Sequence, residues 1–129
     1  MTDVPELKVT PDKYLPFRYA GASGDFNPIH LDSELAQAVG FPRNILHGLW
    51  SMAQVARAAV EAGGGDPRSL KRLSVQFRGI GLPEQEIVVS GSEKDERDGR
   101  VVIELVARQD DREIVKNAEA ELELGPRLG

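Results

Sequence analysis

From Ala118 to Leu124, apolar Ala118, Ala120, Leu122 and Leu124 interleave with Glu119, Glu121 and Glu123, a period of two that predicts a strand with one buried and one solvated face. Leu73, Val75 and Phe77 alternate with Arg72, Ser74, Gln76 and Arg78 in the same way. The runs from Glu86 to Gly91 and from Val101 to Val106 are rich in β-branched residues and read as two more strands. Asp98-Gly99, between those runs, suits a two-residue hairpin because glycine takes positive φ freely, and Asp110-Asp111 marks the next reversal. These strands, joined by short turns, predict an antiparallel meander with its acidic faces toward water.

The N-terminal half has a different character. Gly48 to Ala62 is alanine-rich, free of proline and stopped by Gly63-Gly64-Gly65, so it predicts a helix. Its apolar stripe, Leu49, Met52, Val55, Ala56, Ala59 and Val60, is broad enough to imply that most of the helix is buried. A shorter helix is predicted over Glu34 to Val39, with Asp32-Ser33 as cap candidates and Gly40 as its stop. Pro11 to Ala22 reads as a broken helix, because Pro16 lacks the N–H that a helix interior needs. A long buried helix followed by an antiparallel sheet is an α+β layout, and the helix is covered on most sides only if the sheet curls around it.

The chain has 129 residues, the size of one domain, and the expected unit is 1–129. It carries 16 Lys+Arg against 21 Asp+Glu, a net charge of −5, with no basic run longer than a pair, which argues against nucleic acid as a partner. No stretch reads as a membrane span or a signal peptide. With no cysteine, thiol nucleophiles, CxxC pairs and Cys-ligated metals are excluded, and a cytoplasmic setting is expected.

Candidate chemistry concentrates between Ser23 and Gly48, where both histidines fall. Asp25 and His30 flank Asn27-Pro28, whose proline pushes Asn27 away from helical backbone, so a turn can bring the two side chains together. A carboxylate beside an imidazole can hold and polarise a water, with the imidazole exchanging a proton near neutral pH. Asp25 as a turn cap beside an exposed His30 is the plainer alternative. A two-His-one-carboxylate metal site from His30, His47 and Asp25 or Asp32 is disfavoured, since a helix start explains His47. Ser23 lacks the G-x-S-x-G spacing of a strained serine nucleophile. No metal and no cofactor is expected.

The run Tyr19-Ala20-Gly21-Ala22-Ser23-Gly24-Asp25-Phe26-Asn27-Pro28-Ile29-His30 resembles the hydratase motif, aromatic-A-x-x-S-G-D-x-N-P-x-H, of the MaoC-type or (R)-specific enoyl-CoA hydratase and (3R)-hydroxyacyl dehydratase family. The similarity continues through Ile45-Leu46-His47-Gly48 and, more weakly, Val75-Gln76-Phe77-Arg78. In size and in its YAGASGD string the chain is similar to the small catalytic subunits of actinobacterial (3R)-hydroxyacyl dehydratases.

The resemblance implies a hot-dog fold acting on an acyl-CoA or acyl carrier protein thioester, paired as a homodimer or with a second hot-dog subunit. It assigns Asp25 and His30 to the catalytic dyad and the Gly48 N–H to the thioester oxygen, with Ser23, Asn27 and His47 as substrate-binding or loop-supporting residues. The position where some relatives carry a dyad-supporting serine is Ala56 here, so support is expected from elsewhere, such as Ser51 or Gln54, unless the chain belongs to a dehydratase branch that dispenses with it. Thioester hydrolysis on the same fold, and a hot-dog half whose partner shares the catalysis, are the alternatives.

Overall fold

In the computed structural model, which describes residues 2–125, the chain runs β1 (Leu7–Val9), α1 (Leu15–Ser23), α2 (Ser33–Ala38), α3 (Gly48–Ala62), β2 (Leu70–Phe77), β3 (Ile87–Arg97), β4 (Arg100–Gln109) and β5 (Arg112–Leu122). Short 3₁₀ turns lie at Pro28–His30 and Pro67–Ser69. Met1 and residues 126–129 of the expected 1–129 unit lie outside the described residues. Among the described residues, no helix is long and apolar enough to cross a membrane.

The strands form one five-stranded antiparallel sheet in the order β1-β3-β4-β5-β2. Asp98 (φ 51°) and Gly99 (φ 77°) make the β3–β4 turn with positive φ at both positions, as the Asp-Gly pair predicts. Asp110 (φ 52°) reverses the chain into β5. The expected meander therefore holds for β3, β4 and β5, but β2 departs from it. Instead of pairing with β3 it lies at the far edge against β5, with Leu73 opposite Ala120. Residues 78–86 are too long for a hairpin and carry the chain across the end of the sheet. The short β1 adds a fifth strand against β3.

Register shifts in the β2–β5, β3–β4 and β4–β5 pairs, one of them at Asn117 (φ 50°), increase the local twist and bend the sheet around α3. Val55, Ala58 and Ala59 of α3 pack with Ile87, Val89, Ile103, Val115, Ala118 and Leu122 in one core. This is the hot-dog layout. The acidic strand face stays at the surface, while Ala118, Ala120 and Leu122 are fully buried.

Helix α3 has the bounds its composition predicts, yet its buried face is rotated from the expected stripe. Leu49 is 64% exposed, whereas Ser51, Gln54 and Ala58 join Val55 and Ala59 on the buried side. Small side chains let the helix approach the sheet closely. Buried Gln54 is satisfied locally, donating to the Trp50 carbonyl (3.2 Å) and accepting from Arg57 (2.6 Å). The broken helix expected over Pro11 to Ala22 is instead the continuous α1, because Pro16 falls in its first turn, where no intrahelical N–H bond is needed.

Candidate active site

Helix α1 stops at Gly24, whose left-handed backbone (φ 81°) returns its N–H to the Ala20 carbonyl at 2.8 Å. A ladder of local bonds follows. Ser23 Oγ accepts from the Asp25 N–H, Asp25 Oδ1 from the Asn27 N–H, and Asn27 Oδ1 from the Ile29 N–H, each at 3.2 Å. Each bond spans two residues, the habit of Ser, Asp and Asn in turns, and the last caps the Pro28–His30 turn. The ladder reverses the chain and brings His30 Nε2 to 3.7 Å from Asp25 Oδ2, a separation that regular helix or strand spacing would not produce.

His30 is held from behind. Its Nδ1–H donates to the Ile45 carbonyl at 2.9 Å, and its own carbonyl accepts from Asn44 Nδ2 at 2.9 Å. Because a carbonyl can only accept, Nδ1 carries a hydrogen, and Nε2 is the ring nitrogen turned toward Asp25. Asn44, 4% exposed and also tied to Ser33 Oγ (3.1 Å), is a supporting residue that sequence reasoning missed, since a lone Asn in a loop carries no periodic signal.

His47 is the N-cap residue of α3 and a wall of the site. Its Nε2–H donates to the Asp25 carbonyl at 3.0 Å, and its ring stacks on His30 at 3.9 Å and meets the Tyr19 ring at 4.7 Å. Burial, reinforced by the facing His30, lowers the pKa of His47 from its ordinary 6.5, against the opposing pull of Asp25. The folded state thus favours the neutral ring. As pH falls through about 6.5 the unfolded chain takes up a proton that the folded chain resists, so stability is lost toward acid and retained above. The melting temperature of wild type is expected to fall more steeply between about pH 7 and pH 5 than that of His47→Asn, which cannot titrate. Parallel curves would show that His47 does not carry this dependence.

Beside the dyad a cavity of about 170 Å³ is lined by His30, Gly48, Ser51, Phe77, Gly81 and Ile114 among others. Gly48 opens α3, and no side chain caps that end, so its first N–H groups lack intrahelical acceptors and face the site with the positive end of the dipole. A Cβ at Gly48 would stand 3.3 Å from the Phe77 ring, so glycine keeps the approach between them open. The loop carrying Gly79, Ile80 and Gly81 is pinned by two more residues that the sequence did not disclose. Fully buried Gln109 accepts from the Leu82 N–H (2.8 Å) and donates to the carbonyls of Leu82 (2.7 Å) and Gln85 (3.1 Å). Arg112 donates to the Ile80 carbonyl at 2.8 Å and to Gln109 Oε1 at 3.2 Å.

Ala56 lies elsewhere, in a groove with Pro5, Leu7, Ala53 and Val60 on another side of α3. Of the two residues expected to substitute there, Gln54 is occupied by Trp50 and Arg57, and only Ser51 reaches the dyad's cavity. Asp25, His30 and His47 each offer a ligand atom within 4.8 Å of the others, which is close enough to raise the question of a metal ion. The two rings are stacked at an interplanar angle of 22°, and one nitrogen of each is engaged with a carbonyl. The remaining nitrogens of parallel rings do not converge on one tetrahedral centre.

A peroxisomal enoyl-CoA hydratase 2 of Arabidopsis thaliana is 36% identical over 84 residues, covering 64% of this chain and 26% of that protein. The enoyl-CoA hydratase ChsH3 of Mycobacterium tuberculosis is 35% identical over 110 residues, covering 84% of this chain and 36% of its own. The chain spans between 4% and 36% of the lengths of these two and six other curated relatives that it matches. A chain of the ChsH1-ChsH2 complex from Mycobacterium tuberculosis shares the fold, with a TM-score of 0.82 at 24% identity over 94% of both chains. The family model described as MaoC like domain matches residues 2–114, and with motif, fold and family model in agreement, the chain belongs to the MaoC-like domain family.

Proposed function

We propose that this chain is a hydro-lyase that adds water reversibly across C2=C3 of trans-2-enoyl thioesters and, in reverse, dehydrates (3R)-hydroxyacyl thioesters. The observation that carries the proposal is the facing pair of Asp25 and His30, 3.7 Å apart and beside the uncapped start of α3. That distance exceeds a direct hydrogen bond. A water placed about 2.8 Å from both atoms can donate one hydrogen to Asp25 Oδ2 and the other to His30 Nε2, leaving an oxygen lone pair for attack.

In hydration, the water oxygen bonds to C3 while the C2=C3 pair shifts toward the thioester, whose oxygen gains charge at the Gly48 N–H. The dyad takes one proton from the water and returns a proton to C2, so no outside acid or base is consumed. Ser23 and Asn27 serve as struts of the loop rather than proton carriers, because their side-chain oxygens are already engaged with backbone N–H groups. The enoyl-CoA hydratase names of two relatives favour this reading over thioester hydrolysis.

Partners and setting are part of the same proposal. The acyl carrier is CoA or acyl carrier protein. Phe26 (61% exposed) and Phe77 (50%) flank the site, which favours pairing with a second hot-dog subunit, identical or not, as in the named ChsH1-ChsH2 complex. A cytoplasmic setting fits a cysteine-free chain.

The test is loss of enoyl absorbance with crotonyl-CoA, followed by chiral analysis of the 3-hydroxy product. The (R)-alcohol is expected; release of free CoA thiol without it would assign hydrolysis instead. Dialysis against a chelator is expected to leave the rate unchanged, as the stacked imidazoles imply. A rate lost to chelator and restored by a divalent ion would overturn the metal-free dyad.

A further inference from the structure

Ser51 lies one turn into α3 on the face it shares with Gly48, and it is only 5% exposed. Its N–H donates to the His47 carbonyl at 3.3 Å. Its hydroxyl, by contrast, is held by no other described side chain or carbonyl and is not sealed in the core, where the buried side-chain atoms without a partner are Thr2 Oγ1 and Gln85 Oε1; it opens on the cavity. The residue lines the same cavity as His30 and Gly48. A Cβ on Gly81 would stand 3.5 Å from Ser51 Oγ, so the glycine leaves clear space in front of the hydroxyl.

A hydroxyl that opens on a cavity has a hydrogen free to donate to an acceptor that a ligand brings there. Side chains of a helix lean toward its N-terminus, and residues three apart stand one above the other, so Ser51 Oγ leans toward the turn that Gly48 begins. From this juxtaposition we propose that Ser51 donates the second hydrogen bond to the thioester carbonyl held at the Gly48 N–H. One oxygen then meets a backbone donor and a hydroxyl donor. The inference rests on the proposed hydration chemistry only in placing a thioester carbonyl at the start of α3. It accounts for a polar side chain that the expected apolar stripe of α3 passed over.

The test uses the full chain with Ser51→Ala and Ser51→Thr. One arm measures hydration of crotonyl-CoA; the other records the infrared carbonyl stretch of butyryl-CoA labelled with ¹³C at the thioester carbon, which binds without turning over. Ser51→Ala is expected to lower kcat by about 10–10²-fold, as for loss of one donor to a developing oxyanion, with KM and the pH profile little changed. Its melting temperature should be little changed, because the hydroxyl ties down no other described residue, and Ser51→Thr should recover much of the rate. Bound butyryl-CoA should show a lowered stretch in wild type and a smaller shift in Ser51→Ala.

Equal shifts in wild type and Ser51→Ala would overturn the inference even if hydration proceeds. So would a kcat within about twofold of wild type, given the loss expected of a true donor. A Ser51-dependent shift in a protein that hydrates nothing would keep the carbonyl cradle and discard the hydration reading. Failure of wild type to bind the thioester would discard both.

Discussion

Asp25→Asn is expected to reduce hydration of crotonyl-CoA by at least about 10²-fold, and His30→Ala by a similar factor, while both proteins remain folded. The asparagine retains an Oδ1 that can accept the Asn27 N–H, so the turn survives. What it loses is the negative oxygen 3.7 Å from His30. Its amide NH₂, if turned toward His30, would donate to Nε2 and take the place of the water. His30→Ala removes the other acceptor, and Asn44 still holds the backbone through the His30 carbonyl. On the proposal that the two residues act on one water, the double variant should be little worse than either single one. Additive losses would mean that each side chain acts on a different step. Activity within tenfold of wild type, roughly 1.4 kcal/mol of barrier, in either folded variant would remove that residue from the dyad.

The second large effect is on stability, at a residue remote from the reacting atoms. Gln109→Met keeps a side chain of similar length but deletes three hydrogen bonds to Leu82 and Gln85 in a place of zero solvent exposure. Water cannot replace them there, so the backbone groups are left unsatisfied. At roughly 1–3 kcal/mol for each buried polar group without a partner, a loss of about 3 kcal/mol or more is expected. Urea unfolding should show a lowered midpoint at constant slope.

The loop released is the one that places Gly79, Ile80 and Gly81 around the cavity, so kcat/KM should fall as well, below the temperature at which the variant unfolds. Arg112→Met should show part of the same loss. Since Arg112 bonds both Ile80 and Gln109, the two variants should combine to less than the sum of their effects. A Gln109→Met protein as stable as wild type would mean that the loop is held by packing instead.

Much of this protein is legible along the chain because its signals are local. Period-two alternation marks the faces of β5, an Asp-Gly pair needs only its own backbone preference to close β3 onto β4, and a glycine run ends α3 where helical propensity stops. The motif from Tyr19 to His30 is local too. Its Ser, Asp and Asn each bond two residues ahead, and that ladder turns the chain so that Asp25 faces His30, whose ring the more distant Ile45 carbonyl then fixes.

The tertiary structure decided whatever depends on partners distant in sequence. Alternation in β2 shows which side chains share a face, but not whether β5 or β3 lies alongside; the loop of residues 78–86 and its anchors on Gln109 and Arg112 settle that. Apolar count predicts that α3 is buried, but not its rotation, because small Ser51 and locally satisfied Gln54 cost little to bury against a curved sheet while Leu49 is left outside. The sequence by itself therefore determined α2, α3, the strands β2 to β5, the tight turns at Asp98-Gly99 and Asp110-Asp111 and the local turn at Asp25, since bonds spanning a few residues are specified by neighbours. Sheet order, the rotation of α3 and the cavity where His30, Gly48 and Ser51 meet were decided only when distant segments closed on one another, because that choice is made by packing across the whole core.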